Sequence, residues 1–73
     1  MNRDSNDDQY IAYAAQYMAV YYFYNNDFDN AMRYSLYMMD YDMTYDSGDK
    51  IFNACSKAKP KTAARMRAEH RPL

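Results

Sequence analysis

Apolar and aromatic positions recur along the chain at intervals of three and four residues, the spacing of one helix face. No run alternates at period two with the Val, Ile or Thr that strands favour. The pattern predicts an all-α protein. Ser5 with Asp8 three residues on resembles a capping box, so a first helix is expected from Asn6 or Asp7 to Tyr24. Asn25-Asn26-Asp27 breaks it, and Asn26 or Asp27 can cap a second helix over Phe28 to Asp42. Met43 to Gly48 reads as a turn in which Gly48 supplies positive φ without steric cost. A shorter third helix is expected from Asp49 to Lys57, with Ile51, Ala54, Cys55 and Ala58 on one face and Pro60 ending it. Thr62 can cap a last helix over Ala63 to His70. Met66 is its only sizeable apolar side chain, so this segment is either docked on something or a mobile arm.

Both long helices carry a ladder of tyrosines. Tyr10, Tyr13, Tyr17, Tyr21 and Tyr24 share one face of the first, and Tyr34, Tyr37, Tyr41 and Tyr45 one face of the second. Beside them run Ile11, Ala15, Met18 and Tyr22, and Phe28, Met32, Leu36, Met39 and Met43. Pairing these apolar stripes gives an antiparallel hairpin across the short Asn25–Asp27 connection, with Ala12, Ala15, Ala19 and Ala31 permitting close approach. A pair of helices has only one inner face each, so at least one tyrosine ladder should be exposed or covered by a partner.

Residues 15–43 resemble a single tetratricopeptide-type hairpin, with Asn26-Asp27-Phe28-Asp29-Asn30-Ala31 as its inter-helix turn. Met18, Ala19, Tyr22 and Ala31 fit that family's large-small-large-small pattern. Ala15, Ser35, Met38 and Met43 depart from it, where the family prefers an aromatic, an aromatic, an alanine and a proline. The resemblance implies a helical hairpin and, at most, peptide or partner binding. Solenoids need about three repeats to bury a core, and this chain has room for one.

Composition sharpens the picture. The chain has 73 residues with 10 Tyr, 7 Met and 3 Phe. Leu, Ile, Val and Phe together make about 11% of it, below the ~20% typical of disorder. Tyr, Met and Ala must therefore do the work of the missing aliphatics. A single core this small supplies only about 3–5 kcal/mol. Charge is unevenly divided behind a net −1. Residues 1–49 carry two arginines against nine aspartates, a formal −7; residues 50–73 carry seven cations against Glu69, a formal +6. An acidic Tyr/Met-rich helical domain over 1–58 and a basic tail over 59–73 follow. Either the tail folds back onto the body, or one half is aimed at a partner of opposite sign.

Chemistry narrows the function. Cys55 has no partner for an internal disulfide and, on an apolar helix face, reads as a structural thiol. His70, among Arg67, Glu69 and Arg71, reads as a solvated residue. One His and one Cys do not make a transition-metal site. Counting a calcium loop from Asp42 puts Ser47 where glycine is required and Asn53 where the bidentate glutamate belongs. There is no Gly-rich phosphate loop. No cofactor, metal or catalytic residue is assigned, and the chain is not expected to be an enzyme. No stretch reads as a signal peptide or membrane span, so a cytoplasmic protein is expected.

Recognition remains. Tyrosine gives large contact area at low entropy cost, and methionine surfaces re-pack around partners. The expectation is an interaction module that docks on a basic surface of a larger protein, such as a nucleic-acid-binding groove, through Tyr34, Tyr37, Tyr41, Asp40, Asp42 and Asp46. Inhibition would follow from occupancy. Its composition resembles the accessory proteins of phages and other mobile elements. A competing expectation is nucleic-acid binding through Lys57, Lys59, Lys61, Arg65, Arg67 and Arg71, disfavoured by the acidic body and by the lack of aromatics interleaved in the tail. A third is self-association as a homo-oligomeric helical bundle.

Overall fold

The computed structural model describes residues 5–71, with side chains from Asp7 onward. Four helices follow one another: α1 (Ser5–Tyr24), α2 (Phe28–Met38), α3 (Asp42–Ala58) and α4 (Pro60–Glu69). The described residues contain no strand, and the fold is all-α. The expected Ser5 cap lies outside the described side chains.

The α1–α2 connection forms as its residues dictate. Asn26 takes φ 61°, the left-handed region that asparagine tolerates better than most residues. The amide of Asn26 donates to the Phe23 carbonyl and that of Asp27 to Tyr22, so the last carbonyls of α1 are satisfied in a Schellman arrangement. Asp27 then caps α2. Its Oδ1 accepts from the Asn30 amide at 3.3 Å and its Oδ2 from Asn30 Nδ2 at 2.9 Å.

The packing face of α1 differs from the expected stripe. Ala12, Ala15 and Ala19 are the buried positions, while Ile11 stands half exposed and Met18 and Tyr22 are only partly covered. Three small side chains in register let α2 and α3 approach α1 closely, which leaves the larger residues at the seam. Tyr22 stacks on Tyr34 across that seam, ring centroids 5.8 Å apart.

The larger correction lies at residues 39–48. α2 ends at Met38, and the segment read as a turn is the first part of a 17-residue helix. Tyr41 is extended and redirects the chain, and Thr44 Oγ1 donates to the Met38 carbonyl at 2.7 Å inside the protein. The same carbonyl, at the end of α2, also accepts from the Tyr41 amide at 3.2 Å, so this helix end is held twice. Gly48 has negative φ; its role is close approach. A Cβ there would sit 2.7 Å from the Ser35 carbonyl oxygen and 2.8 Å from Met38 Cβ. The buried face of α3 is Thr44, Gly48, Phe52 and Cys55, not the expected Ile51, Ala54, Cys55 and Ala58: Ala54 and Ala58 are exposed. Met43, expected in the apolar stripe of the second helix, is carried into α3 and exposed. The second tyrosine ladder is likewise broken, since Tyr34 and Tyr37 stand on α2 and Tyr45 on α3.

Helix α4 is docked, and starts earlier than expected. Pro60 occupies its first turn, where a missing N–H costs nothing, and Lys59 rather than Thr62 is the residue before it. Ala63 and Met66 enter one cluster with Ala31, Met32, Leu36, Phe52 and Cys55. The Arg67 guanidinium lies 4.5 Å over the Phe52 ring, a cation–π contact that closes the cluster from outside.

Candidate functional site

Three surfaces carry the chemistry that the sequence singled out. The first is the outer face of α1. From Gln9 to Tyr24 the helix holds no charged residue, and Tyr10, Tyr13, Tyr17, Tyr21 and Tyr24 all point away from the body with Val20 and Ala14 between them. All five rungs are exposed, so this is a ladder that the single inner face of its helix leaves uncovered. Tyr13, Gln16, Tyr17, Val20 and Tyr21 enclose a shallow groove of about 460 Å³.

A cleft of about 790 Å³ between α2 and α4 is the second. Arg33 from α2 faces Arg65 from α4 and Arg71 beyond it, with Tyr34 and Tyr37 on the same walls. The aromatics absent from the basic tail in sequence are thus supplied by a neighbouring helix. His70 lines the cleft as well, and it is not solvated. Its ring meets Tyr37 edge-on at 5.8 Å, and Nε2 lies 3.1 Å from Asp40 Oδ1, with both side chains largely buried. The Asp40 carboxylate, one of the expected partner contacts, therefore faces inward.

The third is the first two turns of α3. Exposed Asp42 and Asp46, with the partly covered Asp49, fall on one stripe on its outer side, flanked by the half-exposed Met43 and Tyr45. Of the six expected contact residues, the structure brings Asp42 and Asp46 together here, places Tyr34 and Tyr37 in the cleft, and half-buries Tyr41 at the α2–α3 corner.

The six basic-tail residues also separate. Lys59 Nζ reaches Asp29 Oδ1 at 3.0 Å, Arg67 covers Phe52, and Arg65 Nε lies 4.0 Å from Glu69 Oε1. Lys57, Lys61 and Arg71 are exposed. These surface pairs are screened and each contributes at most about 1 kcal/mol.

Comparison of the chain with protein-family models, curated proteins and solved structures gives no match. Over residues 15–43 the structure has the α1–α2 hairpin, but α2 ends at Met38 and Asp42 and Met43 belong to α3, so the tetratricopeptide resemblance is not extended beyond a helical hairpin. No helix of the described residues is long and apolar enough to cross a membrane. Among those residues no three His, Cys, Asp or Glu side chains converge as metal ligands would.

Cys55 is fully buried, and burial pushes its thiol above the ordinary value of 9.0. A thiol reagent at pH 8 should leave native Cys55 unmodified and label it at once in denaturant, read by mass. The sign of the linkage also follows. Above about pH 9 the unfolded thiol ionises before the folded one, so stability present below that pH is lost as pH rises through the folded value.

Proposed function

We propose that this protein is a small helical interaction module that occupies a basic surface on a larger protein, working through the acidic and aromatic start of α3. One observation carries the reading: exposed Asp42 and Asp46, with the partly covered Asp49, share a stripe on the outer side of α3, with half-exposed Tyr45 and Met43 beside it. Carboxylates spaced along a helix can stand where phosphates would lie in a nucleic-acid groove, and tyrosine beside them adds buried area and a hydroxyl. Asp40 leaves the contact set, since its carboxylate is held by His70, and Tyr45 joins it. Blocking of the partner follows from occupancy, in the cytoplasm of the cell that holds it, in keeping with the phage-accessory character of the composition.

A second reading has its own observation. Arg33, Arg65 and Arg71 beside Tyr34 and Tyr37 combine cations with stacking surfaces in one cleft, the combination that single-stranded nucleic acid uses.

One binding experiment separates the two. The full chain is used to capture partners from nuclease-treated cell extract, and in parallel is titrated with a labelled single-stranded oligonucleotide. On the first reading a specific protein is retained at 50 mM salt, and Asp42→Asn/Asp46→Asn weakens its capture by about tenfold or more as close charge pairs are lost. Capture indifferent to both substitutions and salt overturns that reading. On the second, the oligonucleotide binds with a log–log salt slope near about −2 for three contacts, and Arg65→Ala/Arg71→Ala abolishes it. No binding at low salt removes it.

A further inference from the structure

The outer face of α1 is uncovered, uncharged and aromatic over four turns, and its residues are arranged symmetrically. The tyrosine spacing along Tyr10, Tyr13, Tyr17, Tyr21 and Tyr24 is 3, 4, 4, 3, which reads the same in both directions about Tyr17. We propose that this face is the interface of a homodimer, in which two α1 helices pack antiparallel about a two-fold axis at Tyr17.

The symmetry argument identifies the occupant. An interface between identical chains related by a two-fold axis must be self-complementary: residue i meets residue j, and j meets i. With Tyr17 on the axis, Tyr13 meets Tyr21 of the second copy and Tyr10 meets Tyr24. Ala14 and Val20 fall at matching heights on the two flanks of the ladder, so neither crowds a rung. Each rung therefore opposes a rung, and each gap between rungs opposes a gap. An antiparallel copy fits this register without any residue left over.

Local shape supports it. Tyr13, Gln16, Tyr17 and Val20 stand at i, i+3, i+4 and i+7, the four corners of a hole into which a side chain of a facing helix inserts, and they border a groove of about 460 Å³. The knob that reaches this hole from an antiparallel copy is Tyr17.

Area and charge agree. The five tyrosines are 75, 47, 72, 53 and 79% exposed in chain order. At about 200 Å² for a whole tyrosine side chain they offer about 650 Å², close to the ~800 Å² per partner of a stable interface. No charge lies between Gln9 and Tyr24, so two copies meet without burying an ion or opposing like charges within the ladder. The flanking charges, Asp7 and Asp8 before the first rung and Asp27 after the last, stand outside the ladder, where salt screens the approach of Asp7 to Asp27 of the second copy. This surface is separate from the acidic stripe of α3, so dimerisation and partner binding fail independently.

The test uses the full chain in sedimentation velocity and light scattering from about 1 to 200 μM. A species of twice the 8.7 kDa chain mass is expected to grow with concentration. Tyr17→Glu puts two carboxylates face to face on the axis and should give monomer with unchanged helical circular dichroism, whereas Tyr17→Phe and Asp42→Asn/Asp46→Asn should keep the dimer. Register is read by oxidation in a Cys55→Ala background. Tyr17→Cys should cross-link to itself, and Tyr13→Cys should cross-link only when mixed with Tyr21→Cys. Monomer throughout the range overturns the proposal, as does efficient self-linking of Tyr13→Cys, which a parallel pair would give.

Discussion

Gly48→Ala should destabilise the fold severely, although alanine is the better helix former. In an exposed helix the exchange stabilises by about 1 kcal/mol. Here the added methyl would lie 2.7 Å from the Ser35 carbonyl oxygen, 2.8 Å from Met38 Cβ and 3.0 Å from Met39 Cγ. Two of these three atoms belong to the backbone or its first side-chain atom and cannot swing aside, so α2 and α3 must separate. Overpacking of this kind costs typically about 1–3 kcal/mol and sometimes more. That is comparable with everything a core this size supplies. Urea titration followed by circular dichroism checks it: the midpoint should fall well below that of the wild type. A midpoint equal to or above that of the wild type would mean that the helices do not meet at Gly48.

Phe52→Ala should have an effect of the same order for a different reason. Phe52 is the largest fully buried side chain, and it joins α3 to Met32 and Leu36 of α2 and to Ala63 and Met66 of α4. Truncating a buried phenylalanine costs about 3–5 kcal/mol through lost burial and the cavity left behind. The loss also removes the ring beneath Arg67. Thermal unfolding should show no cooperative transition above room temperature, whereas Phe52→Leu, which keeps most of the volume, should retain one. A cooperative transition in Phe52→Ala within a few degrees of wild type would show that α4 is held by something else.

These two residues also show where the sequence was readable and where it was not. The α1–α2 hairpin was legible because its signals are local: Asn26 and Asp27 carry turn and cap chemistry in their own side chains, and each does what its chemistry favours. The start of α3 was not legible, because Asp42, Thr44, Asp46, Ser47 and Gly48 are poor helix formers and their helicity is imposed from outside. Thr44 donates to α2 and Gly48 fits against it. The stripe Thr44, Gly48, Phe52, Cys55 has helical spacing, yet a threonine and a glycine do not register as apolar. His70 was misjudged for a similar reason. Among charged neighbours it reads as solvated, and only the docking of α4 brings it to Asp40, thirty positions away. Of the candidate surfaces, exposure of a tyrosine ladder followed from counting inner faces. The cleft did not, because Arg33 and Arg65 belong to helices that meet only in three dimensions.

The uncovered face of α1 has an evolutionary consequence. Tyr10, Tyr13, Tyr17, Tyr21 and Tyr24 belong to none of the buried clusters, so folding constrains mutational drift there far less than in the core. Ala12, Ala15 and Ala19, one step round the same helix, are constrained by packing whatever the protein does. Relatives that share only the fold should keep the alanines and lose the tyrosines; relatives that keep both, with the spacing intact, have been selected for what that face touches.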